Sequence, residues 1–568
     1  MEQGKNLYCR IFTALKETFD KKKSTYRDIR DLLAPGSGTF NDSDDELQAQ
    51  RVKYQQLRDN EPASYLDTTT AGLYGGLINP AARWFGLTVG QTSGAYQNYD
   101  LYDIYKSVEY ITEFLYYMFN RTNFYESMRT VFSEWVRYGI GCMLVEEDNE
   151  NFIFFNPLTI GEYYLGVNAK GEYTKLARTL SLTADQMLDA FGDACPENVK
   201  ACYQNGNHNQ TFEVSHLICP NPKDGTVSDS FKYVDLYWMN QGGSTEPAFL
   251  RKSGFYSNPI VVFSWERKNL RTIYPIGIGE KILGDVRELQ YTVKCLNLHK
   301  SYLAQPALAL HTSLGKKPVL PGARFYTDQD PTKVASEIYR VASYIAEFED
   351  SRARLLDKIR KQSYADILML FAQQDKGTMT AREVTAIVNE QMTLMAPVYL
   401  QAKSGLETIF KRVLDICTRR RVLKNADIIS PKDLNVEFLS SIAKAQRMAE
   451  VGSIEDMLMY ITQLAQLKPE ALDYINEDAI VMDIAERLGN GAKVNPSDVV
   501  AQIRQQRAEQ QQAMMALEQR SQEMKIAKDA SKAKLEPTNM LGQQVIAQGG
   551  SLPPESYPQN QEMNNAGR

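Results

Sequence analysis

Apolar residues recur along this chain in two rhythms, and the switches between them mark its organisation. Leu7, Ile11, Leu15 and Phe19 repeat every four residues, which predicts a helix over about the first 35 residues. Pro35-Gly36-Ser37-Gly38 breaks it. Residues 41–48 are acidic and polar and read as an exposed loop. Residues 62–90 mix helix signals with small residues, and helical spacing returns from 101 to 138, rich in Tyr and Phe, ending at Gly139. The rhythm then shortens. GCMLVEE, NFIFF, EYYLG and EYTKLART are strand-like runs, and Asn168-Ala169-Lys170-Gly171 reads as a hairpin turn between two of them. Thr183 with Gln186 makes a capping box for a helix that Gly192 ends. TFEVSHLI, FKYVDLYWM and PIVVFSW return to strands, so the first half is α+β.

After Gly279 the chain becomes mainly helical. Ile282, Val286, Leu289, Val293, Leu296 and Leu303 are spaced 4, 3, 4, 3 and 7, a heptad stripe that predicts a long helix packed on other helices and ended by Pro306. Residues 306–329 read as a short β or loop insertion. Asp330-Pro331 then supplies an N-cap and a first-turn proline. A second stripe follows at Val334, Ile338, Val341, Ile345, Phe348, Leu355 and Ile359, with Arg352 in the skipped apolar slot. On pattern alone this is equally an ordinary helical hairpin within a globular core. Residues 372–379 form a polar loop. Thr380-Ala381-Arg382-Glu383 is another capping box, opening a helix to about Arg421 with Pro397 inside it, where a kink is expected. Several shorter helices are expected over 431–490. Asn495-Pro496-Ser497-Asp498 starts one more, reaching about Leu535, and a tail rich in Gln, Asn, Pro and Gly follows, expected to be disordered.

Composition narrows the function classes. The 568 residues carry a net charge of −6, which argues against a protein that wraps nucleic acid by bulk charge. Seven scattered cysteines make no disulfide framework, so a reducing compartment is expected. No signal-peptide pattern opens the sequence and no apolar run nears 18 residues, so a soluble protein made in a cytoplasm is expected.

Candidate chemistry is thin. No phosphate loop, nucleophile elbow or zinc-protease motif is present. Gly277-Ile278-Gly279 with Gly284 matches a dinucleotide fingerprint poorly and reads as a strand-to-helix turn. Cys195, Cys202, His208, His216 and Cys219 are too widely spaced for a usual zinc site and read as ordinary residues of the α+β region. Asp42, Asp44, Asp45 and Glu46 lack the glycine and distal glutamate of a calcium loop and read as solvated. Arg419-Arg420-Arg421 closes a long helix, where cations offset the dipole, with nucleic-acid contact as the second reading. No catalytic residue, metal or cofactor is expected. A helical scaffold or adaptor, or an enzyme with an unrecognised centre, remain as alternatives.

Several stretches, in order, resemble one family. Leu73-Tyr74-Gly75-Gly76-Leu77-Ile78-Asn79-Pro80 leads to Trp84-Phe85-Gly86-Leu87. Phe154-Phe155-Asn156-Pro157 leads through Glu162-Tyr163-Tyr164-Leu165 to Gly171 and Arg178. Pro259 to Glu266 (PIVVFSWE) and Met379-Thr380-Ala381-Arg382-Glu383-Val384 follow. Together they are similar to head-to-tail connectors, the portal proteins of short-tailed bacteriophages, over roughly residues 1–490. The turn Tyr274-Pro275-Ile276-Gly277-Ile278-Gly279 departs from the family pattern, and the C-terminal region matches little.

The resemblance implies a ring, commonly of twelve subunits, around an axial channel for double-stranded DNA. It implies an elongated, mainly helical α+β subunit: a wing at 1–276, a first stem helix at 277–305 and a clip at 306–330. A second stem helix would span 331–361, a tunnel loop and kinked helix 362–430, a helical crown 431–535 and the tail 536–568. Lys376, Gln373 and Gln374 would then line the channel, and Lys316, Lys317 and Arg324 would serve the clip. The implied partners are further copies of the chain, a terminase ATPase, capsid and scaffolding proteins and tail adaptors. The implied place is the head-tail vertex of the virion, after assembly in the host cytoplasm.

Overall fold

The computed structural model describes residues 2–38, 40, 42, 44–55, 57–89, 101–239, 248–304, 308–310, 330, 335–337, 343–372, 381–423, 434–439, 454, 457–463, 480–481, 497–532 and 547. The chain divides into two compact units, Met1–Leu467 and Lys468–Arg568.

The first unit opens with α1 (Glu2–Leu33). Its buried face is Tyr8, Leu15, Phe19, Tyr26, Ile29 and Leu33, whereas Leu7 is 41% exposed. The expected four-residue stripe therefore holds only in part. Steps of four overshoot a 3.6-residue turn by about 40° each, so such a stripe rotates off the core. Gly36 and Gly38, with φ of 87° and 62°, make the predicted break. The acidic stretch beyond it is not a solvated loop. Helix α2 (Asp44–Gln55) begins there, and Arg27 and Arg30 both pair with Asp42, Arg27 also with Glu46 and Lys53 with Asp31. The two guanidiniums hold the Asp42 carboxyl below its ordinary range although burial, the largest influence, pushes it up.

Helix α3 (Glu61–Leu77) takes Pro62 in its first turn. Strand β1 (Phe85–Val89) follows. The expected helix over 101–138 is two, α4 (Leu101–Arg121) and α5 (Phe124–Tyr138). Asn123 separates them because its amide clamps the backbone of Phe155, donating from Nδ2 at 2.7 Å and accepting at Oδ1 at 3.1 Å. Gly139 ends α5 in the left-handed region at φ 81°, as its position predicts.

Two antiparallel sheets form next. Strands β2 (Ile140–Glu147) and β3 (Ile153–Leu158) pair, and β9 (Ile260–Ser264) adds to the other edge of β2. The second sheet runs in chain order: β4 (Tyr163–Val167), β5 (Tyr173–Thr183), β6 (Thr211–Pro220), β7 (Tyr233–Met239) and β8 (Ala248–Phe255). The Asn168–Gly171 hairpin and the Thr183/Gln186 box form as read, the box capping α6 (Ala184–Phe191). α6 and α7 (Glu197–Gln204) build a satellite core on this sheet around Met187, Val199, Val214 and Leu250.

The first stripe is α8 (Ile278–Ala304). The second is shorter than expected. Residues 331–361 are not one helix: β11 (Ala335–Glu337) pairs antiparallel with β10 (Leu308–Leu310), and the helix α9 spans Ile345–Gln362. Val334, Ile338 and Val341 lie outside the described residues. Pro331 lies outside the described residues. Tyr364, at φ 63°, then turns the chain into α10 (Ala365–Ala372). Helix α11 (Ala381–Arg419) continues through Pro397 and stops two residues earlier than expected.

Residues 431–490 are not helical throughout. Residues 457–463 are helical, but β12 (Leu434–Phe438) is a strand that pairs with β1. This pairing explains Trp84-Phe85. Trp84 is buried, stacks on Phe124 and Phe438, and meets Phe410, while Leu439 donates to its carbonyl. In the second unit, α12 (Ser497–Lys532) is exposed at nearly every described position. The expected tail, apart from residue 547, lies outside the described residues.

Candidate functional site

The described part of the candidate site is the pair α8 and α9 with the segments that leave them. Gly277-Ile278-Gly279 fixes where α8 begins by close packing. A side chain on Gly277 would sit 2.3 Å from the amide nitrogen of Gly139, and one on Gly279 would sit 2.3 Å from the carbonyl of Arg137. The glycines let the start of α8 touch the end of α5. Ile282, Val286, Leu289, Val293 and Leu296 are then buried, as the heptad spacing predicts.

Ion pairs set α8 against α9 in antiparallel register. Lys300 meets Glu349 at 2.9 Å, and Lys358 meets Asp285 at 2.7 Å, one near each end. Arg352, which interrupted the apolar stripe, clamps the start of α3. Its Nε donates to Asp59 at 2.7 Å and its Nη2 to Glu61 at 2.6 Å. These hydrogen bonds, Asp59 first, raise its already high pKa. From the α8 side, Gln290 accepts from the amides of Arg58 and Asp59 and donates to the Asp59 carbonyl. Loop 58–61 is therefore held by both long helices.

At the far end, Leu308↔Glu337, Ala309↔Ser336 and Leu310↔Ala335 bring the two ends of the insertion together. Lys316, Lys317 and Arg324 fall within 311–329, outside the described residues. Gln373, Gln374 and Lys376 also fall outside them, between α10 and α11. The structure thus brings together the supports of the candidate residues and describes none of the six.

Two of the three arginines at the end of α11, Arg419 and Arg420, have structural partners. Arg419 pairs with Glu147 at 2.7 Å and lies over Tyr256, while Arg420 donates to the Asp148 carbonyl and lies over Phe152. Two helical turns before them, buried Arg412 sits over Phe255 and donates to Ser257 and Val145, and burial lowers its pKa to about 10. Sequence reading missed Arg412. Its only signal was its place two turns before the arginine run.

The histidine-cysteine set is dispersed. Cys195 donates to the Met187 carbonyl and Cys202 to Gln210. Arg178 Nε donates to His216 Nδ1 at 2.7 Å, so the ring proton sits on Nε2, 2.6 Å from Asp235. Burial first, then Arg178, lowers the His216 pKa to about 4, so the ring is neutral near pH 7. Among the described residues, no group of three His, Cys, Asp or Glu could hold a metal ion. Nor is any described helix long and apolar enough to cross a membrane.

Comparison with known proteins finds relatives over most of the chain. A family model described as bacteriophage head to tail connecting protein matches residues 5–494, ending just before α12. The chain is 28% identical over 531 residues to the portal protein of Salmonella phage epsilon15, covering 91% of this chain and 93% of that protein. It is 28% identical over 516 residues to a probable portal protein of Bordetella phage BPP-1, covering 86% and 88%. A chain from the virion of a native gene transfer agent particle aligns over 80% of this chain with 8% identity and a TM-score of 0.32, too low to carry an argument.

Proposed function

The chain belongs to the family of bacteriophage head-to-tail connecting proteins, and from that premise we propose that it forms a closed ring at one capsid vertex. The ring is the passage for double-stranded DNA during packaging and ejection. The observation that carries this reading is the family match across residues 5–494. The antiparallel α8–α9 pair supports it, because the insertion leaves and returns at the β10–β11 ladder, where the family places a stem and its clip.

In this reading residues 1–276 are the wing, α8 and α9 the stem, 306–330 the clip and 362–430 the tunnel loop and its helix. The crown spans 431–535 and the tail 536–568. Lys316, Lys317 and Arg324 serve docking at the clip, first for a terminase ATPase and later for tail adaptors. Lys376, Gln373 and Gln374 face the DNA. Few such contacts are needed, since each phosphate contact adds salt-dependent affinity and a gripped duplex cannot slide. A net charge of −6 suits a passage of this kind. The ring, of twelve copies by family precedent, assembles with capsid and scaffolding proteins in the host cytoplasm and stays at the head-tail vertex of the virion.

Particle composition tests the proposal. In particles purified from infected cells, this chain is expected at one ring per particle, far below the coat protein. Its absence from the particles, or an amount matching the coat protein, refutes the reading.

A further inference from the structure

The five-stranded sheet carries a row of charged and aromatic side chains where its two apolar cores meet. Arg178 on β5, His216 on β6, Tyr237 on β7 and Arg251 on β8 stand opposite one another in register. Residues two apart on a strand share a face. One step along this face, Leu176 and Ile218 belong to the main core. One step the other way, Leu180 and Val214 pack in the satellite core with Met187 of α6 and Val199 of α7. Phe191, at the end of α6, meets the Tyr237 ring at 5.5 Å, so the row is also a footing for that helix.

Hydrogen-bond direction makes the row depend on one protonation state. Arg178 Nε donates to His216 Nδ1, His216 Nε2 donates to Asp235, and Asp235 also accepts from Arg251 at 3.2 Å. The buried His216 ring stacks on Tyr237 at 4.0 Å, and the Arg251 guanidinium lies over the same tyrosine at 4.3 Å. A neutral ring, with one nitrogen accepting and one donating, satisfies every partner. A second ring proton sets N–H against the Arg178 N–H and cation against cation. Asp235 is the carboxylate that favours that proton, and Arg178 and Arg251 oppose it. On β2, burial raises the Glu146 carboxyl and Arg178 pulls it down. Tyr237, raised by burial to about 12, stays neutral. On α6 and α7, Asp185, Asp189 and Glu197 are exposed, and Lys200 is turned to Asp193 and Glu197.

We propose that the Arg178–His216–Tyr237–Arg251 row is an acid-sensitive seam: when His216 takes a second proton, α6 and α7 leave the sheet with their core as one unit while the main core stays closed. The charged ring needs water, and Tyr237 cannot keep both its stack on His216 and its place under Phe191 once water enters. The seam is independent of the ring reading, because every group in it belongs to one subunit.

The test uses the purified full chain and its own thiols. Cys195 is buried in the satellite core, and Cys142 and Cys417 are buried in the main core. A pyridyl disulfide that reacts with thiols in acid is applied at each pH, and modified cysteines are mapped by mass spectrometry against a free-thiol standard. An opened histidine titrates near 6.5 and the closed ring at about 4, so opening gains about tenfold per pH unit of acidification between those values. The Cys195 rate should therefore rise about 100-fold over the two units below pH 6.5, while Cys142 and Cys417 stay protected. His216→Gln stays neutral, and Arg178→Met removes the cation facing the ring; each should flatten the Cys195 curve. A wild-type Cys195 rate that does not rise, or a rise shared by Cys142 and Cys417, overturns the seam. So does an unflattened curve in either variant, and the wild-type comparison decides alone where a variant does not fold.

Discussion

Glu134 offers a quantitative test of the packing that supports α8. It lies on α5, one turn before the contact between Gly139 and Gly277, and is buried, its side chain accepting the Ile160 amide at 2.8 Å. Burial pushes its pKa up to about 7, against the weaker opposing pull of the Ile160 amide and Arg137. An unfolded glutamate titrates near 4.5. Between those values the folded state holds a proton that the unfolded state has lost. Stability therefore falls as pH rises through this window and levels off above it. At about 1.4 kcal/mol per pKa unit, the loss is about 3 kcal/mol. Glu134→Gln stays neutral and keeps an acceptor for Ile160, so it escapes that loss. Urea unfolding of both proteins, followed by tryptophan fluorescence from pH 5 to 8 at one protein concentration, gives the difference directly. The variant should exceed wild type by about 1 kcal/mol at pH 5, where most of the unfolded carboxyl is already ionised, and by about 3 kcal/mol at pH 8. A gap that does not change with pH, or wild type more stable at pH 8, refutes the reasoning.

Three further outcomes follow from the same structure. Gly277→Ala places a methyl carbon against the Gly139 backbone, where forced overpacking costs about 1–3 kcal/mol, and thermal unfolding should show the loss. Arg352→Met keeps much of the apolar contact of α9 but leaves buried Asp59 without its charged partner; a cost of about 1–3 kcal/mol is expected, and an unchanged urea midpoint would remove loop 58–61 as a support of the α8–α9 pair. Lys376→Ala should alter DNA packaging or retention in an in vitro packaging reaction without reducing ring yield, whereas unaltered packaging and retention would withdraw Lys376 from the channel.

What could be read from the sequence was local. The Thr183/Gln186 box, the Asn168–Gly171 hairpin, Gly139 as a helix stop and the α8 stripe each need only neighbours within a few turns, and each has the expected form. What escaped reading depends on distant partners. The strand β12 exists because β1 pairs with it from hundreds of residues away, and β8 is an edge strand whose sequence lacks clean alternation. Helix α2 is polar, and its anchors Arg27 and Asp31 lie on another helix. The second helix was expected to begin too early because residues 335–337 are a strand whose partner, β10, lies across the insertion. The α8–α9 pair was legible as two stripes, the second of which holds only from Ile345 on. The role of Arg352 was not, because its partners Asp59 and Glu61 are nearly three hundred residues earlier.

Negative-stain imaging of the purified full chain tests the central claim most directly. End-on views should show closed rings of uniform diameter with a central hole. A homogeneous monomer or dimer at high protein concentration would contradict the assignment of a DNA passage to this chain.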